Sequence, residues 1–281
     1  MPLYNAKVLL RKAAEKHIAV GAFNVANMEM VMGIIAAAEA EKTPIILQIA
    51  EVRLPYSPLH LMGPLMFEAA RKSTVPIAVH LDHGRSMPVI KQALEYGFSS
   101  CMFDGSKYSL EENIEKTNEC AAVAAMYGAT LEAELGVLGG NEGEGRADTA
   151  IYTRPEDAEY FASKAKIDSL AVAIGNAHGN YRQAPKLQFD ILEDIAGRVD
   201  VPLVLHGGTG ISPQDFQKCI SLGIRKINIA TSSFDACTRG AARYFDSTDS
   251  PDYFGLNKDM VAAVCENTRR HLAIFNMEEL K

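Results

Sequence analysis

The chain has 281 residues, of which 48% are hydrophobic and 22% are charged, an ordinary composition for a folded protein with a sizeable core. Its formal net charge of -7 argues against nucleic acid as the main partner, because phosphate contacts need a basic surface, although a local basic pocket for a small anion stays open. No apolar run approaches the roughly 20 residues of a membrane-spanning helix, so we expect no membrane partner.

The N-terminus and the cysteines both favour a cytoplasmic protein. Residues 1–7 lack the charged segment followed by an apolar segment that is typical of a secretory signal peptide. The five cysteines are odd in number and scattered, and they form no Cys-x-x-Cys pair. This pattern favours reduced thiols over a disulfide framework or a sulfur-ligated metal.

Strand-like and helix-like segments alternate along the whole chain. Most of the strand-like segments are short, continuous apolar runs, as in strands that are buried on both faces of a parallel sheet. We predict eight strands, near residues 18–23, 44–49, 76–82, 99–104, 129–134, 169–175, 201–206 and 225–230. Helical periodicity predicts helices at residues 28–40, 110–127, 155–165, 213–222 and about 258–275.

Eight such alternations within about 250 residues are typical of an α/β protein with a (β/α)8 TIM barrel, and a doubly wound open sheet is the alternative. The sequence contains no linker rich in proline, glycine or serine and no clear internal repeat. We therefore predict one catalytic barrel domain over residues 1–281, with a helical extension at its C-terminus. That extension is expected to pack on the barrel exterior or at a subunit interface.

Polar side chains cluster at one end of the predicted barrel. The active site of this fold lies at the carboxyl ends of the strands. The residues at those ends are Asn24, Gln48, Asp82, His83, Asp104, Glu132, Glu134, Asn176, His178, His206 and residues 228–231. The opposite ends carry residues that look structural, and we place Lys226 among them. This distribution predicts an active site at the carboxyl end before any motif is considered.

Three histidines, His83, His178 and His206, follow the third, sixth and seventh predicted strands. Imidazoles at three strand ends can converge on one metal ion and leave a fourth position open, as in a catalytic zinc site. His80 lies two residues before Asp82 on the same strand face and competes with His83, which we favour because it lies at the strand tip. The remaining histidines are predicted to be surface residues: His17, His60 and His271.

Four carboxylates accompany these histidines. Asp82 neighbours a presumed ligand, so it either transfers protons to and from a metal-polarised substrate or orients a histidine. Asp104 and Glu134 end the fourth and fifth strands and could supply oxygen ligands to the same cation or to a second one. Glu132 lies on the same strand face as Glu134, so the choice between these two glutamates stays open.

Two loops after the last two strands are candidates for phosphate binding. His206-Gly-Gly-Thr-Gly210 follows the seventh strand and leads to a capped helix, and Asn228-Ile-Ala-Thr-Ser-Ser233 follows the eighth. Glycines let backbone amides approach an anion. Helix N-termini behind these two loops form the usual phosphate site of a (β/α)8 barrel.

A second glycine-rich stretch spans residues 136–146, after the fifth strand. It is either a surface loop without a role in catalysis or a lid that carries Glu142 or Glu144 over the substrate. A carboxylate on such a lid can act as a base only when the lid closes.

Several of these segments together resemble the class II, metal-dependent ketose-bisphosphate aldolases, the family of the fructose- and tagatose-bisphosphate aldolases. The resemblance runs in unbroken order from Ala22-Phe-Asn24 to Asn228-Ile-Ala-Thr231. The motifs between these ends are Leu81-Asp82-His83-Gly84, Glu132-Ala-Glu-Leu-Gly136 with Gly139-Gly140, Ala173-Ile-Gly-Asn-Ala-His-Gly179 and Leu205-His-Gly-Gly-Thr-Gly210. The resemblance implies a zinc-dependent, reversible cleavage of a ketose 1,6-bisphosphate of the fructose type to dihydroxyacetone phosphate and glyceraldehyde 3-phosphate.

The resemblance also implies catalytic roles by motif position. His83, His178 and His206 would bind the catalytic zinc. Asp82 would shuttle the proton of the C4 hydroxyl, and Glu142 would exchange the C3 proton.

Further binding roles follow from the same resemblance. Asp104 and Glu134 would match a second, alternative metal position, and a monovalent cation could accompany the zinc. The substrate, a small phosphorylated sugar, would contact Asn24, Gly179, Gly207, Gly208, Thr209, Asn228, Ile229, Ala230 and Thr231. The family is also the reason to expect a homodimer or a homotetramer.

The residues favour a metal over the other route of aldol cleavage. A zinc ion stabilises, as a Lewis acid, the enediolate that cleavage of the C3–C4 bond leaves. An aldolase without a metal needs a Schiff-base lysine. No lysine stands at the end of the sixth strand, and Lys226 lies at the start of the eighth, on the wrong side for that role.

The chain departs from the family pattern at several positions, and these departures leave the identity of the sugar open. Residues 49–53 match neither the fructose nor the tagatose pattern, and Ala230 is the tagatose-like choice in its motif. The substrate therefore stays open between fructose 1,6-bisphosphate, tagatose 1,6-bisphosphate and another phosphorylated ketose or keto acid, a sulfonated sugar included. A sugar-phosphate-binding protein without catalysis is the alternative from another class. Candidates for holding the distal anion are Arg53, Arg239 and Arg243.

Overall fold

Eight parallel strands close into a barrel in the computed structural model, which describes residues 3–136, 139–140, 151–179 and 185–279. The strands are β1 Val20–Asn24, β2 Ile45–Ala50, β3 Ile77–Gly84, β4 Ser100–Phe103, β5 Thr130–Leu135, β6 Ser169–Val172, β7 Leu203–Leu205 and β8 Ile224–Ile229. Each strand pairs in parallel with the next along the chain, and β8 pairs with β1. The predicted (β/α)8 barrel is confirmed, and the open sheet is wrong because the strand order closes on itself.

Helices separate the strands and cover the barrel. They are α1 Ala6–Glu15, α2 Met28–Ala40, α3 Leu59–Lys72, α4 Met87–Glu95, α5 Leu110–Met126, α6 Pro155–Lys164, α7 Phe189–Arg198, α8 Pro213–Ser221, α9 Thr231–Ser247 and α10 Tyr253–Phe275, with a 3-10 turn at Glu51–Arg53. The last helix begins five residues before the predicted Lys258, because the Asp252 side chain accepts from the amides of Phe254 and Gly255 and caps it there. Among the described helices, none is both long and apolar enough to cross a membrane.

Two apolar clusters of the described residues hold the barrel together. The larger one lies between the outward-facing strand residues and the surrounding helices. The smaller one joins Leu9 and Leu10 of α1 to the inward-facing Ala22, Ile46 and Ala78. Helix α1, which the sequence analysis does not predict, therefore closes the amino end of the barrel, and this leaves the carboxyl end as the open one.

The C-terminal helix α10 packs on the barrel exterior against α2 and α9. Glycines allow the close approach: a Cβ atom on Gly33 of α2 would lie 2.7 Å from the Val261 carbonyl oxygen. A Cβ atom on Gly240 of α9 would lie 2.8 Å from the Asp259 carbonyl oxygen. The assignment of the chain to one domain with this helix as an extension stays a prediction.

His271 on α10 is buried, so its prediction as a surface residue is wrong. Its Nδ1 lies 2.7 Å from the Asn267 carbonyl oxygen, and its ring packs near Phe216 and Phe275. Burial lowers the pKa of His271 to about 4, so the imidazole is neutral at neutral pH. A histidine on an amphipathic helix can lie on either face, and here it lies on the inner one.

The plug formed by α1 predicts a stability effect. We expect Leu10→Ala, at a fully buried position, to lower the free energy of unfolding by about 2–5 kcal/mol. Val8→Ala on the same helix, at a position that is 38% exposed, is the control and should change it by less than about 0.5 kcal/mol. Denaturant unfolding of the two variants measures both values, and equal effects would contradict the role of α1.

Candidate active site

One extra residue in β3 brings two consecutive side chains to the mouth of the barrel. The step from Leu81 to Gly84 spans three residues on β3, while the paired step on β4 spans two. His83 has a left-handed backbone, with φ of 44°. Neighbouring residues of a regular strand point to opposite faces, so Asp82 and His83 would diverge without this bulge. With it, both side chains are buried at the carboxyl end.

The two nitrogen atoms of His83 face two groups of donor atoms. Its Nε2 lies 2.9 Å from His206 Nδ1, and these imidazoles and Asp82 offer ligand atoms that all lie within 4.8 Å of one another. Its Nδ1 lies 3.2 Å from Asp104 Oδ2 and 3.4 Å from Glu134 Oε2, a second group within the same limit. All five side chains are buried. Buried imidazole and carboxylate donors at these spacings fit a divalent cation such as zinc.

The third predicted histidine, His178, ends a two-residue segment, Ala177–His178, that pairs with Gly139–Gly140. Gly207 has a left-handed φ of 63°, and a Cβ atom there would overlap the carbonyl of Ala177. The main chain of this segment therefore lies directly against the loop that follows His206. Three of the predicted groups lie outside the described residues: the side chain of His178, Glu142 and Glu144.

Asp82 is held by two amides. Asn24 Nδ2 donates to its Oδ2 at 2.9 Å, and Asn228 Nδ2 donates to its Oδ1 at 3.1 Å. Burial alone would raise the pKa of Asp82, but the nearby His83 and His206 outweigh that effect and lower it to about 2. The carboxylate is thus ionised at neutral pH and able to accept a proton.

Asp104 is also kept ionised, although it is mostly buried. Burial works to raise its pKa, and the hydrogen bonds from His83 and Ser106 hold it well below its usual range. Ser106 supplies its hydroxyl at 2.6 Å and its amide at 3.2 Å to the same carboxylate oxygen. The other oxygen stays turned toward His83 and the second donor group.

The loops after β7 and β8 form one pocket with the donor atoms. Its lining residues are Asn24, Asp82, Gly179, His206, Gly207, Gly208, Thr209, Asn228, Ala230 and Thr231. The Ser232 amide donates to Thr209 Oγ1 at 3.0 Å, and the Gly208 amide donates to the Asn228 carbonyl at 3.2 Å, so the two loops are tied together. Helix α9 begins at Thr231, so its N-terminal amides also lie at this pocket, as an anion site needs.

Two asparagines of the pocket carry buried amide oxygens without a hydrogen-bond partner among the described residues, Asn24 Oδ1 and Asn228 Oδ1. Buried polar atoms are normally paired, so these two fit a bound ligand. Ile229, which the sequence analysis groups with them, differs: its side chain is buried in the outer core, and only its main chain is available to the pocket.

Lys226 has a contact in the site that the sequence analysis does not predict. The residue lies in the first half of β8, as the sequence predicts, but its side chain is fully buried and reaches into the barrel, where its Nζ lies 2.7 Å from Glu132 Oε2. Glu132 in turn lies 3.0 Å from His206 Nε2. The charged Lys226 works with this contact to hold the pKa of Glu132 well below its usual range, against the effect of burial. A single lysine at an inward-facing position, two residues before Asn228, was the signal that sequence reasoning missed.

His80 contacts residues outside the two groups of donor atoms. Its Nδ1 lies 2.7 Å from Ser100 Oγ, and its Nε2 lies 3.5 Å from Lys226 Nζ. Burial, followed by the charge of Lys226, lowers the pKa of His80 to about 3. Among the described residues, both groups with metal-ligand spacing contain His83, and neither contains His80.

The three candidate arginines for a distal anion lie in two places. Arg53 follows β2 in the 3-10 turn, and its guanidinium lies 5.5 Å from the ring centre of Phe234 in the first turn of α9. Arg239 and Arg243 line a separate cavity between α9 and α10, together with the acidic Asp246. Arg53 is therefore the one of the three that follows a strand at its carboxyl end, where the site lies.

Comparisons with known proteins agree with the motifs. The family model described as fructose-bisphosphate aldolase class-II matches residues 4–279. A sulfofructosephosphate aldolase from Alkalicoccus urumqiensis is 38% identical over 283 residues, 99% of this chain and 98% of that relative. A probable fructose-bisphosphate aldolase from Bacillus subtilis (strain 168) is 39% identical over 270 residues, 93% and 94% of the two chains. The crystal structure of the YdjI aldolase from Escherichia coli K12 superposes with a TM-score of 0.88 at 37% identity, covering 98% of this chain and 97% of that one.

The bulge in β3 predicts a special sensitivity at its last residue. A Cβ atom on Gly84 would overlap the Met102 carbonyl and lie 3.0 Å from Ile90 Cγ1, so we expect Gly84→Ala to distort the bulge. Gly197→Ala is the matched control, because that helical position of α7 has no atom within 4 Å of an added Cβ.

Thermal unfolding with and without zinc measures the effect. Zinc that binds only the folded state raises the Tm. We expect Gly84→Ala to lower both the Tm and the shift that zinc causes, while Gly197→Ala keeps the zinc shift and raises the Tm slightly, because alanine is the better helix former. A Gly84→Ala protein with the wild-type Tm and the wild-type zinc shift would show that the bulge does not organise the site.

Proposed function

The chain belongs to the class II fructose-bisphosphate aldolase family and is an aldolase, a lyase, and from this premise we propose that it cleaves a ketose 1,6-bisphosphate of the fructose type, reversibly and with zinc, to dihydroxyacetone phosphate and glyceraldehyde 3-phosphate. The observation that carries the proposal is the convergence of Asp82, His83 and His206 beside the glycine-rich loop after β7 and the loop after β8. We also propose a cytoplasmic protein that works as a homodimer or homotetramer.

His83, His178 and His206 are the proposed zinc ligands, and Asp104 and Glu134 are proposed to offer an alternative position beside His83. The donor types support this assignment, since zinc binds imidazole and carboxylate ligands, and His83 Nε2 lies 2.9 Å from His206 Nδ1. The bound metal would supply Lewis-acid polarisation of the ketose carbonyl. A monovalent cation in addition to the zinc is part of the same proposal.

Asp82 is the proposed base for the C4 hydroxyl proton. Its carboxylate is ionised, and the amides of Asn24 and Asn228 fix both of its oxygens, so its position relative to a bound sugar is defined. Transfer of that proton to Asp82 allows the C3–C4 bond to break with formation of the aldehyde. Glu142 is proposed to exchange the proton at C3 in the other half of the reaction.

The dihydroxyacetone-phosphate end is proposed to bind in the pocket of the two loops, at Gly179, Gly207, Gly208, Thr209 and residues 228–231. The glycines after β7 let the main chain approach an anion closely, and the N-terminus of α9 at Thr231 favours a negative charge, so both suit a phosphate. Asn24 is proposed to contact the sugar through the amide oxygen that has no partner among the described residues.

A second candidate is an aldolase for a related ketose. The relative with the name sulfofructosephosphate aldolase is as similar to this chain as the fructose-bisphosphate relative, at 38% and 39% identity. A terminal sulfonate in place of the second phosphate is therefore a specific alternative, and tagatose 1,6-bisphosphate is another. All of these substrates share the three-carbon phosphate end, and they differ at the far end of the sugar or in its stereochemistry.

A substrate panel with added zinc tests the reaction. We expect turnover of fructose 1,6-bisphosphate, measured by coupled detection of dihydroxyacetone phosphate, and a loss of kcat of about 10²- to 10⁴-fold in Asp82→Asn because the base is gone. The exposed His60→Gln serves as the control and should keep the wild-type rate. Turnover of sulfofructose phosphate alone would favour the second candidate, and full activity after removal of metal by a chelator would contradict both.

Arg53 is expected to bind the anionic group at the distal end of the substrate. In Arg53→Met we expect the KM for fructose 1,6-bisphosphate to rise about tenfold or more, because a charge-assisted contact is lost, and the KM for fructose 1-phosphate to stay nearly constant. Arg239→Met, in the cavity between α9 and α10, is the matched control and should change neither value. Equal changes for both substrates in Arg53→Met would mean that this arginine does not distinguish the distal group.

A further inference from the structure

We propose that Glu132 and Lys226 form a buried positioning pair that holds His206 in the tautomer and orientation that metal binding needs. Glu132 Oε1 lies 3.0 Å from His206 Nε2, while the other ring nitrogen, Nδ1, lies 2.9 Å from His83 Nε2 in the group with metal-ligand spacing. An ionised carboxylate can only accept a hydrogen bond, so the ring hydrogen of the neutral His206 imidazole lies on Nε2. The lone pair then lies on Nδ1, facing the proposed metal position.

The Glu132 carboxylate is itself fixed from several sides. Lys226 Nζ donates to both of its oxygens, at 2.9 Å and 2.7 Å, and Ser169 Oγ donates to Oε2 at 3.2 Å. These contacts come from β8 and β6, while Glu132 lies on β5. The carboxylate therefore has one well-defined position, and so does the ring that it contacts, that of His206 directly after β7.

The contacts of Glu132 extend through Lys226 to His80 and Ser100. Lys226 Nζ lies 3.5 Å from His80 Nε2, and His80 Nδ1 lies 2.7 Å from Ser100 Oγ. Ser100 can accept the hydrogen on Nδ1, which leaves the lone pair of Nε2 for the ammonium group. This arrangement gives His80 a role in the layer below the donor atoms, supporting Lys226, and explains its place on the inner face of β3.

A purely structural role does not account for the pair. Both side chains are at most 2% exposed, and the removal of two charges from water is so costly that an apolar pair of similar volume is often equally stable. Among the described residues Glu132 is the carboxylate that pairs with Lys226, and the same carboxylate contacts His206. The pair thus makes a contact that an apolar replacement cannot make.

This inference rests on the proposed zinc site, so the experiment measures zinc binding by the full-length protein directly. In Glu132→Met/Lys226→Met both charges leave together, so no buried charge stays unpaired. We expect this protein to fold and its Kd for zinc, from competition with a chromogenic chelator, to rise about 10- to 100-fold. Glu132→Gln/Lys226→Met retains a neutral acceptor for His206 Nε2 and should recover part of the affinity. The exposed pair in Glu68→Gln/Arg71→Gln is the control and should keep the wild-type Kd.

The absorption spectrum of the cobalt-substituted protein gives a second readout, since its visible bands follow the ligand geometry of the metal. We expect the bands to shift in the two Glu132/Lys226 double variants and not in the control. If the double methionine variant does not fold, Glu132→Asp is measured in its place. It keeps the charge, but its side chain is one methylene shorter, so the carboxylate lies farther from His206 and the same changes are expected. An unchanged Kd and spectrum in the folded variants would overturn the positioning role. A wild-type protein that binds no zinc would contradict the proposed function instead.

Discussion

The bulge in β3 is the constraint on which the site depends. A regular strand would send Asp82 into the barrel and His83 outward among the helices, and a single inserted residue with a left-handed backbone turns both to the mouth. His83 then contacts His206 on one side and Asp104 on the other, so two donor groups share one imidazole. Asp82 is left in place to meet the amides of β1 and β8. A non-glycine residue in this backbone conformation is strained, and such strain is typical of functional sites.

The interior of the barrel changes character from one end to the other. At the amino end Ala22 and Ile46 pack against α1, which excludes water and needs no polar partner. In the middle Glu132 and Lys226 form a buried ion pair. At the carboxyl end the donor atoms around His206 meet the loops with their backbone amides. Each layer supports the next. The apolar plug excludes water from the middle layer, and the attraction between Glu132 and Lys226 is stronger where water is excluded. The ion pair in turn holds His206 above it.

Much of this arrangement could be read from the sequence, and the failures have physical causes. The strands were found because a parallel strand that is buried on both faces is a continuous apolar run, and Asp82 and His83 were found because they follow such a run. Helix α1 is absent from the prediction, and its role as a plug does not follow from the sequence, because its partners are the inner faces of strands that are distant in sequence. The contact of Lys226 with Glu132 does not follow from the sequence, because strand position tells where a Cα lies and not how far a long side chain reaches. His271 was misplaced because the burial of a helix face depends on which helices it meets.

The most direct test of the account is the location of zinc in crystals of the zinc-loaded protein, from anomalous diffraction at the zinc absorption edge. The account predicts one strong peak at the mouth of the barrel, about 2.0–2.1 Å from nitrogen atoms of His83 and His206, with Nδ1 as the coordinating atom of His206. A peak held by other residues, such as the Asp246 and Glu266 carboxylates between α9 and α10, or no peak at all from crystals grown in excess zinc, would contradict it.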